Sequence, residues 1–211
     1  MYLPAHFQEE RIEVMAELMR RHPLATLVTA GAEGLQANHV PLLYDPAPGP
    51  LGTLRGHLAR ANGQWRQARP EFGALAIFQG PQAYISPSFY PSKQEHGRVV
   101  PTWNYISVHA HAVLTVHEDA EWLRSQVTQL TVSQEASFTE PWKVTDAPPE
   151  YIEGLLKAIV GIELRITRLA GKWKVSQNRP AADRQGVAEA LERQSGGGCG
   201  AMADAVRNSI P

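Results

Sequence analysis

The stretch NHVPLL occupies residues 38–43, and the stretch LRGHLARANGQW occupies residues 54–65. The first is an apolar, extended run that contains a proline. The second places His57, Arg60 and Asn62 beside small residues. An apolar strand next to such a segment offers a flat hydrophobic wall beside an anion pocket. A planar, phosphorylated ligand needs both, so the two stretches together predict a cofactor site.

Arg60 is the residue in these stretches that is best suited to an anion. Its guanidinium is always charged and can donate two hydrogen bonds to one phosphate. A helix that begins near Asn62 would add its free amides at the same place. The alternative interpretation puts Arg60 on a solvated surface, His57 in a half-buried position and Asn62 at a helix cap without a ligand. Residue types alone favour this alternative, since short motifs often match by chance.

The composition is that of an ordinary globular protein. The 211 residues suffice for one substantial core, and 20 Lys and Arg against 21 Asp and Glu leave a formal net charge of -1. Such a balance gives no electrostatic footprint for nucleic acid, so we expect no direct DNA binding. Cys199 is the only cysteine, and neither a signal peptide nor a membrane span is recognisable. We therefore expect a cytoplasmic protein without membrane contact.

The hydrophobic periodicity predicts closely spaced strands, with most helices late in the chain. The predicted helices cover residues 8–21, 64–68, 118–134, 147–161 and 183–193. The predicted strands cover residues 24–29, 35–44, 54–58, 73–79, 82–86, 102–116, 162–169 and 172–176, with hairpin turns at 31–34, 80–81 and 171 and a long loop at 87–98. This order is typical of a mainly β, α+β fold, a small antiparallel barrel with helices, over residues 1–194. We expect residues 195–211 to form a flexible, glycine-rich link and a short C-terminal tail.

Motifs spread over nearly the whole chain match a known family. They are YLPAHF at 2–7, NHVPLL at 38–43, HLARAN at 57–62, YISPSFY at 84–90, VPTWNY at 100–105, KVSQNR at 174–179 and DRQG at 183–186. In these motifs the chain resembles the PaiB family of FMN-binding proteins, often called negative transcriptional regulators. The resemblance implies an antiparallel split β-barrel of the FMN-binding type with peripheral helices.

The resemblance also implies where FMN binds. Split-barrel flavoproteins hold the isoalloxazine ring against the main chain of a central strand, which corresponds here to Asn38, His39, Val40, Pro41 and Leu42. The implied phosphate-binding residues are His57, Arg60 and Asn62. Such proteins commonly form homodimers with FMN in clefts at the subunit interface. The residues implied for the second wall of the cleft are Trp103, Asn104, Lys174, Ser176, Gln177 and Asn178.

The residues themselves give one argument for that second wall. Lys174, Ser176 and Asn178 alternate along the chain, so a strand would place all three on one face. The alternative is a polar, solvated face that ends in a turn. Trp103 fits a core or interface position at least as well, because tryptophan occupies such positions more often than it stacks on a cofactor.

Several functions stay open on the sequence alone. An FMN-dependent oxidoreductase would take electrons from NAD(P)H as a transient substrate, because the chain has no dinucleotide-binding glycine fingerprint. The alternatives are a regulator that senses its ligand without catalysis, and a haem protein with His57 or His39 as axial ligand. His109 and His111 would face one side of a strand, but a metal site normally needs a third ligand that no spacing supplies. We therefore expect no metal, and we identify no catalytic residue.

Overall fold

The computed structural model describes residues 1–194, 196 and 198–209, which form eight strands and seven helices. The strands are β1 Gln8–Glu9, β2 Leu24–Gly31, β3 Gly34–Pro41, β4 Leu43–Asp45, β5 Thr53–Ala59, β6 Ala74–Ile85, β7 Thr102–His117 and β8 Ile159–Lys174. The helices are α1 Ile12–Arg21, α2 Gln64–Gln67, α3 Ser92–His96, α4 Ala120–Glu135, α5 Pro149–Lys157, α6 Ala181–Glu192 and α7 Cys199–Arg207. None of the helices in this described part of the chain has the length and apolar character that crossing a bilayer requires.

The strands form an antiparallel sheet in the order β3-β2-β6-β7-β8-β5-β4, with β1 paired to β8. β2 and β3 form the predicted hairpin, in which Leu24 lies opposite Pro41 and Gly31 opposite Gly34. The order ends at β3 on one side and at β4 on the other, so the sheet of described strands is not closed. The predicted antiparallel, mainly β architecture with peripheral helices is confirmed.

The chain divides into two compact units, of which the first contains Met1–Met15, Gln79–Val108 and the described residues from Ala170 onward. In this unit α6 packs on α7. Its most deeply buried apolar residues are Ile85, Tyr90, Val108, Val175, Val187, Leu191, Met202 and Val206. Much of the predicted tail is therefore helix α7 with a buried face, while residues 195, 197, 210 and 211 lie outside the described residues.

The second unit contains Ala16–Phe78 and His109–Leu169. Its sheet residues pair β2 with β3 and β6, and β5 with β4 and β8. The largest buried side chains of this unit are Met19, Leu27, Leu42, Leu54, Phe78, Leu123, Ile162 and Leu164. A separate apolar cluster joins α4 to α5 and the turn before α5, through Leu123, Val144, Ile152 and Leu156.

Two predicted hairpins are wrong, because the glycines at their predicted turns lie inside continuous strands. β6 runs through Gly80 and Pro81, and its buried positions change from even to odd numbers after Gly80, which is typical of a β-bulge. β8 runs through Gly171, which lies opposite Glu9 of β1. A Cβ at Gly171 would lie 2.8 Å from the Met15 sulfur, so glycine serves close packing there and not chain reversal.

Three further boundaries differ from the sequence prediction. The predicted strand at 35–44 divides into β3, which ends at Pro41, and β4, Leu43–Asp45, which pairs with β5. The N-terminal helix begins at Ile12 and not at residue 8, because Gln8 and Glu9 pair with β8 as a short strand. The predicted loop at 87–98 contains a 3₁₀ turn, Pro87–Phe89, and helix α3. The Ser86 side chain caps that turn by accepting a hydrogen bond from the Ser88 N–H at 3.2 Å.

Candidate functional site

The two stretches of the predicted cofactor site lie against each other in the second unit. The end of β3 approaches β5 at Gly56, where a Cβ would lie 2.7 Å from the Pro41 carbonyl oxygen and 2.8 Å from Leu42 Cδ2. Only glycine allows so close an approach. The predicted apolar wall and the start of the predicted anion-binding segment are therefore neighbours.

The side chains of the predicted wall alternate between the two faces of β3. His39 and Pro41 are exposed, whereas Val40 and Leu42 are buried. β3 is the terminal strand of the sheet, and among the described strands none pairs with its outer edge. Main-chain groups on such an edge are free to bind another partner. This position suits the predicted contact with a planar ring, and the contact itself stays a prediction.

A buried glutamine connects two of the predicted site residues. Asn38 Nδ2 donates to Gln64 Oε1 at 2.9 Å, and the Gln64 backbone N–H donates to Asn62 Oδ1 at 3.0 Å. Gln64 is only 1% exposed, and its Nε2 donates to the Leu27 carbonyl at 3.0 Å. Asn38 thus binds the side-chain amide of Gln64, and Asn62 binds the backbone N–H of the same residue. Sequence reasoning missed Gln64, because a polar residue at the start of a short helix is normally assigned to the surface.

His57 pairs with a second buried glutamine. Its Nδ1 lies 2.9 Å from Oε1 of Gln126 on α4. Gln126 is 2% exposed, and its Nε2 has no hydrogen-bond partner among the described residues. Turning the amide over would pair Nε2 with the imidazole and leave Oε1 free instead. One end of this buried amide therefore lacks a partner in either orientation, which is uncommon in folded proteins.

Arg60 is bound by its own chain. Its Nε donates to the Lys157 carbonyl at 2.9 Å, its Nη2 donates to the Ile159 carbonyl at 3.1 Å, and its Nη1 pairs with the Glu118 carboxylate. A cavity of about 400 Å³ lies beside this ion pair, with Leu123 and Leu156 among its lining residues. The predicted phosphate contact of Arg60 stays a prediction, and it requires a phosphate to compete with Glu118.

Four of the six residues predicted for the second wall line one cavity of the first unit, namely Asn104, Lys174, Ser176 and Asn178. Lys174 Nζ donates to Thr102 Oγ1 at 2.7 Å and also to the Trp103 carbonyl. Asn104 is 1% exposed, and its Nδ2 donates to Ser176 Oγ at 2.9 Å. Burial lowers the pKa of the Lys174 ammonium below its usual value.

The predicted strand at 172–176 ends early, so none of the described strands places Lys174, Ser176 and Asn178 on one face. β8 ends at Lys174, and Ser176 has a φ of 65°, in the left-handed region. Lys174, Ser176 and Asn178 nevertheless line one cavity. Gln177 folds back on its own segment, since its Oε1 accepts from the Val175 N–H at 2.8 Å.

Trp103 is 54% exposed, and its side chain lies edge-on to Tyr84 with ring centroids 6.0 Å apart. A tryptophan this exposed is not a core residue in the described chain. Trp103 is thus an aromatic surface position that is open to a ligand or to a protein partner.

The histidine pair on β7 has other contacts. His111 Nε2 lies 2.7 Å from a guanidinium nitrogen of Arg168, and burial lowers the pKa of both His109 and His111. Among the described residues, no group of three or more His, Cys, Asp and Glu side chains is arranged to hold a metal ion.

Comparisons with known proteins identify the family. Residues 1–168 match the family model described as "Putative FMN-binding domain". An uncharacterized protein of Emericella nidulans is 36% identical, over 91% of this chain and 90% of its own. Protease synthase and sporulation protein PAI 2 of Bacillus subtilis is 30% identical, over 100% of this chain and 98% of its own.

The fold is shared with solved structures at low sequence identity. The FAD and heme binding protein from Mycobacterium smegmatis superposes with a TM-score of 0.57 at 15% identity, over 79% of this chain and 73% of that chain. This likeness concerns the fold and supports the predicted split barrel. Together with the family match, it confirms the resemblance drawn from the sequence motifs. The chain therefore belongs to the PaiB family of FMN-binding split-barrel proteins, whose cofactor is FMN or a related flavin.

Proposed function

We propose that this protein is an FMN-dependent oxidoreductase that accepts electrons from NAD(P)H and acts as a cytoplasmic homodimer, with FMN bound at the subunit interface. The observation that carries the proposal is the close approach of β3 and β5 at Gly56, next to the half-satisfied His57–Gln126 pair. It places an open strand edge beside buried polar groups that lack a partner. Flavin binding needs such a combination.

The residues present fit a flavin. An isoalloxazine carries donors and acceptors along one edge, and the outer edge of β3 can offer main-chain groups of both kinds. The free end of the Gln126 amide can pair with a polar group of the ligand. FMN supplies the electron-transfer chemistry when bound, and the protein supplies binding and orientation.

The phosphate of FMN requires a change of partner at Arg60. In the proposal Arg60 exchanges Glu118 for the phosphate, while its two hydrogen bonds to main-chain carbonyls hold the guanidinium in place. The Glu118 side chain is 57% exposed, so water can replace its lost partner at little cost. His57 and Asn62 would then supply further hydrogen bonds.

An absorbance spectrum tests the proposal directly. Purified protein is incubated with FMN, desalted and examined for the two visible flavin bands, and NADH or NADPH is then added without oxygen. We expect retained flavin that is bleached by one of the two nucleotides. Absence of flavin after desalting would contradict FMN binding. A Soret band in untreated protein would favour the haem alternative.

A regulator that senses flavin without turnover is the second candidate. Its support is the relative PAI 2, whose name refers to protease synthesis and sporulation. Bound flavin that neither nucleotide bleaches would favour this function. The net charge of -1 makes an indirect effect through a protein partner the form of regulation that we propose.

A further inference from the structure

The first unit contains a small cavity whose lining combines polar and positively charged side chains with the apolar Phe7, Val100 and Pro101. Its volume is about 180 Å³, and its lining includes Lys174, Arg179, Asn104, Ser176 and Asn178. This is room for about six water molecules at about 30 Å³ each, and it is below the roughly 300 Å³ at which ligand pockets usually begin. The cavity therefore suits one polar group of a ligand and not a three-ring system.

Positive charge collects around this cavity without acidic partners. Lys174 and Arg179 line it, and the buried Lys172 lies close enough to affect the Lys174 charge. In the described chain none of these three cations forms an ion pair with a carboxylate. Asp183 of the same unit binds Ser92, through the backbone N–H at 3.1 Å and the hydroxyl at 2.7 Å. Bringing like charges together under partial burial costs stability, and a bound anion would offset that cost.

A buried amide in the cavity wall also lacks a partner. Asn104 is 1% exposed and donates to Ser176 Oγ, but its Oδ1 has no hydrogen-bond partner among the described residues. Turning the amide over would pair Oδ1 with the Ser176 hydroxyl and leave the Nδ2 donors free. An unpartnered buried amide beside unneutralised cations is a second, independent sign of a missing ligand.

We propose that this cavity binds the oxyanion of a small molecule, a phosphate or a carboxylate group, through Lys174, Arg179 and Asn104. Arg179 contributes a guanidinium whose Cζ lies over the Tyr90 ring, 4.9 Å from the ring centroid. Lys174 contributes an ammonium oriented by its hydrogen bonds to Thr102 and Trp103. The oxyanion comes either from an acidic second substrate or from the flavin phosphate, and both sources share this chemistry. The flavin phosphate as source would replace the phosphate contact proposed above for Arg60.

The test uses the full chain and inorganic phosphate, so it does not depend on flavin binding. Thermal unfolding is followed with increasing phosphate, against chloride at equal ionic strength. We expect phosphate to raise the melting temperature of the wild type, and Lys174→Met and Arg179→Met each to weaken the apparent affinity at least tenfold. Lys93→Met, which removes an exposed lysine of the same unit, should respond like the wild type. Equal responses of the wild type and Arg179→Met would overturn the proposal even if Lys174→Met does not fold.

A second titration identifies the source of the oxyanion. FMN and riboflavin, which differ by the phosphate, are titrated into the wild type and Arg179→Met. A loss of the FMN advantage over riboflavin in the variant assigns the cavity to the flavin phosphate. An unchanged advantage, together with the lost response to inorganic phosphate, assigns it to an acidic second substrate. If flavin does not bind at all, the function proposed above fails while the phosphate result still stands.

Discussion

At the scale of single residues, the proposed phosphate contact depends on Arg60. The sequence identified it as a cation in the right stretch, but its partners Glu118, Lys157 and Ile159 lie far along the chain. No local sequence pattern could have predicted that the Arg60 guanidinium already forms an ion pair with Glu118. Gln64 and Gln126 were not predicted as site residues for the same reason, because their hydrogen-bond partners lie on other elements.

Substitutions at this ion pair should change FMN binding in opposite directions. We expect Arg60→Ala to weaken FMN binding by about 1.5 to 3 kcal/mol, the scale of a lost charged hydrogen bond. Glu118→Gln should strengthen it by up to about 1 kcal/mol, because an exposed ion pair contributes no more than that. Fluorescence titration measures both, with riboflavin as the control ligand. Equal weakening of FMN and riboflavin by Arg60→Ala would show a structural role for Arg60.

At the scale of elements, the hydrophobic pattern predicts the positions of most strands and helices. It does not predict whether a glycine makes a turn or allows close packing. The β2–β3 hairpin and the long strand β7 lie where the periodicity predicted them. The pattern failed at Gly80 and Gly171, since a glycine required by packing has the same sequence signature as one required by a turn.

A matched pair of glycine substitutions tests the contact between β3 and β5. We expect Gly56→Ala to destabilise the protein by about 1 to 3 kcal/mol, because its methyl group would overlap the Pro41 carbonyl oxygen and the Leu42 side chain. Gly154→Ala in α5 meets no atom within 4 Å and should stabilise it by up to about 1 kcal/mol. Urea unfolding gives both values. If Gly56→Ala were as stable as the wild type, the close approach would not limit this site.

At the scale of the whole molecule, the C-terminal helix belongs to the folded chain. The sequence indicated a tail because glycines separate α7 from α6, and the buried face of Met202, Ala203 and Val206 is too short a pattern to recognise. We expect a chain that ends at residue 194 to melt several degrees lower than the wild type, because the α6 face that α7 covers would become exposed. Removal of residues 210 and 211 alone serves as the control. Equal melting temperatures for the two truncated chains would contradict this role of α7.

The position of Pro41 has a consequence for solubility. A terminal strand with a free row of donors and acceptors is a template on which foreign strands polymerise. Pro41 has no N–H, and the exposed side chain of His39 lies two residues before it. The outer edge of β3 can thus stay accessible to a small molecule. The missing N–H interrupts the continuous row of main-chain hydrogen bonds that amyloid-like growth requires.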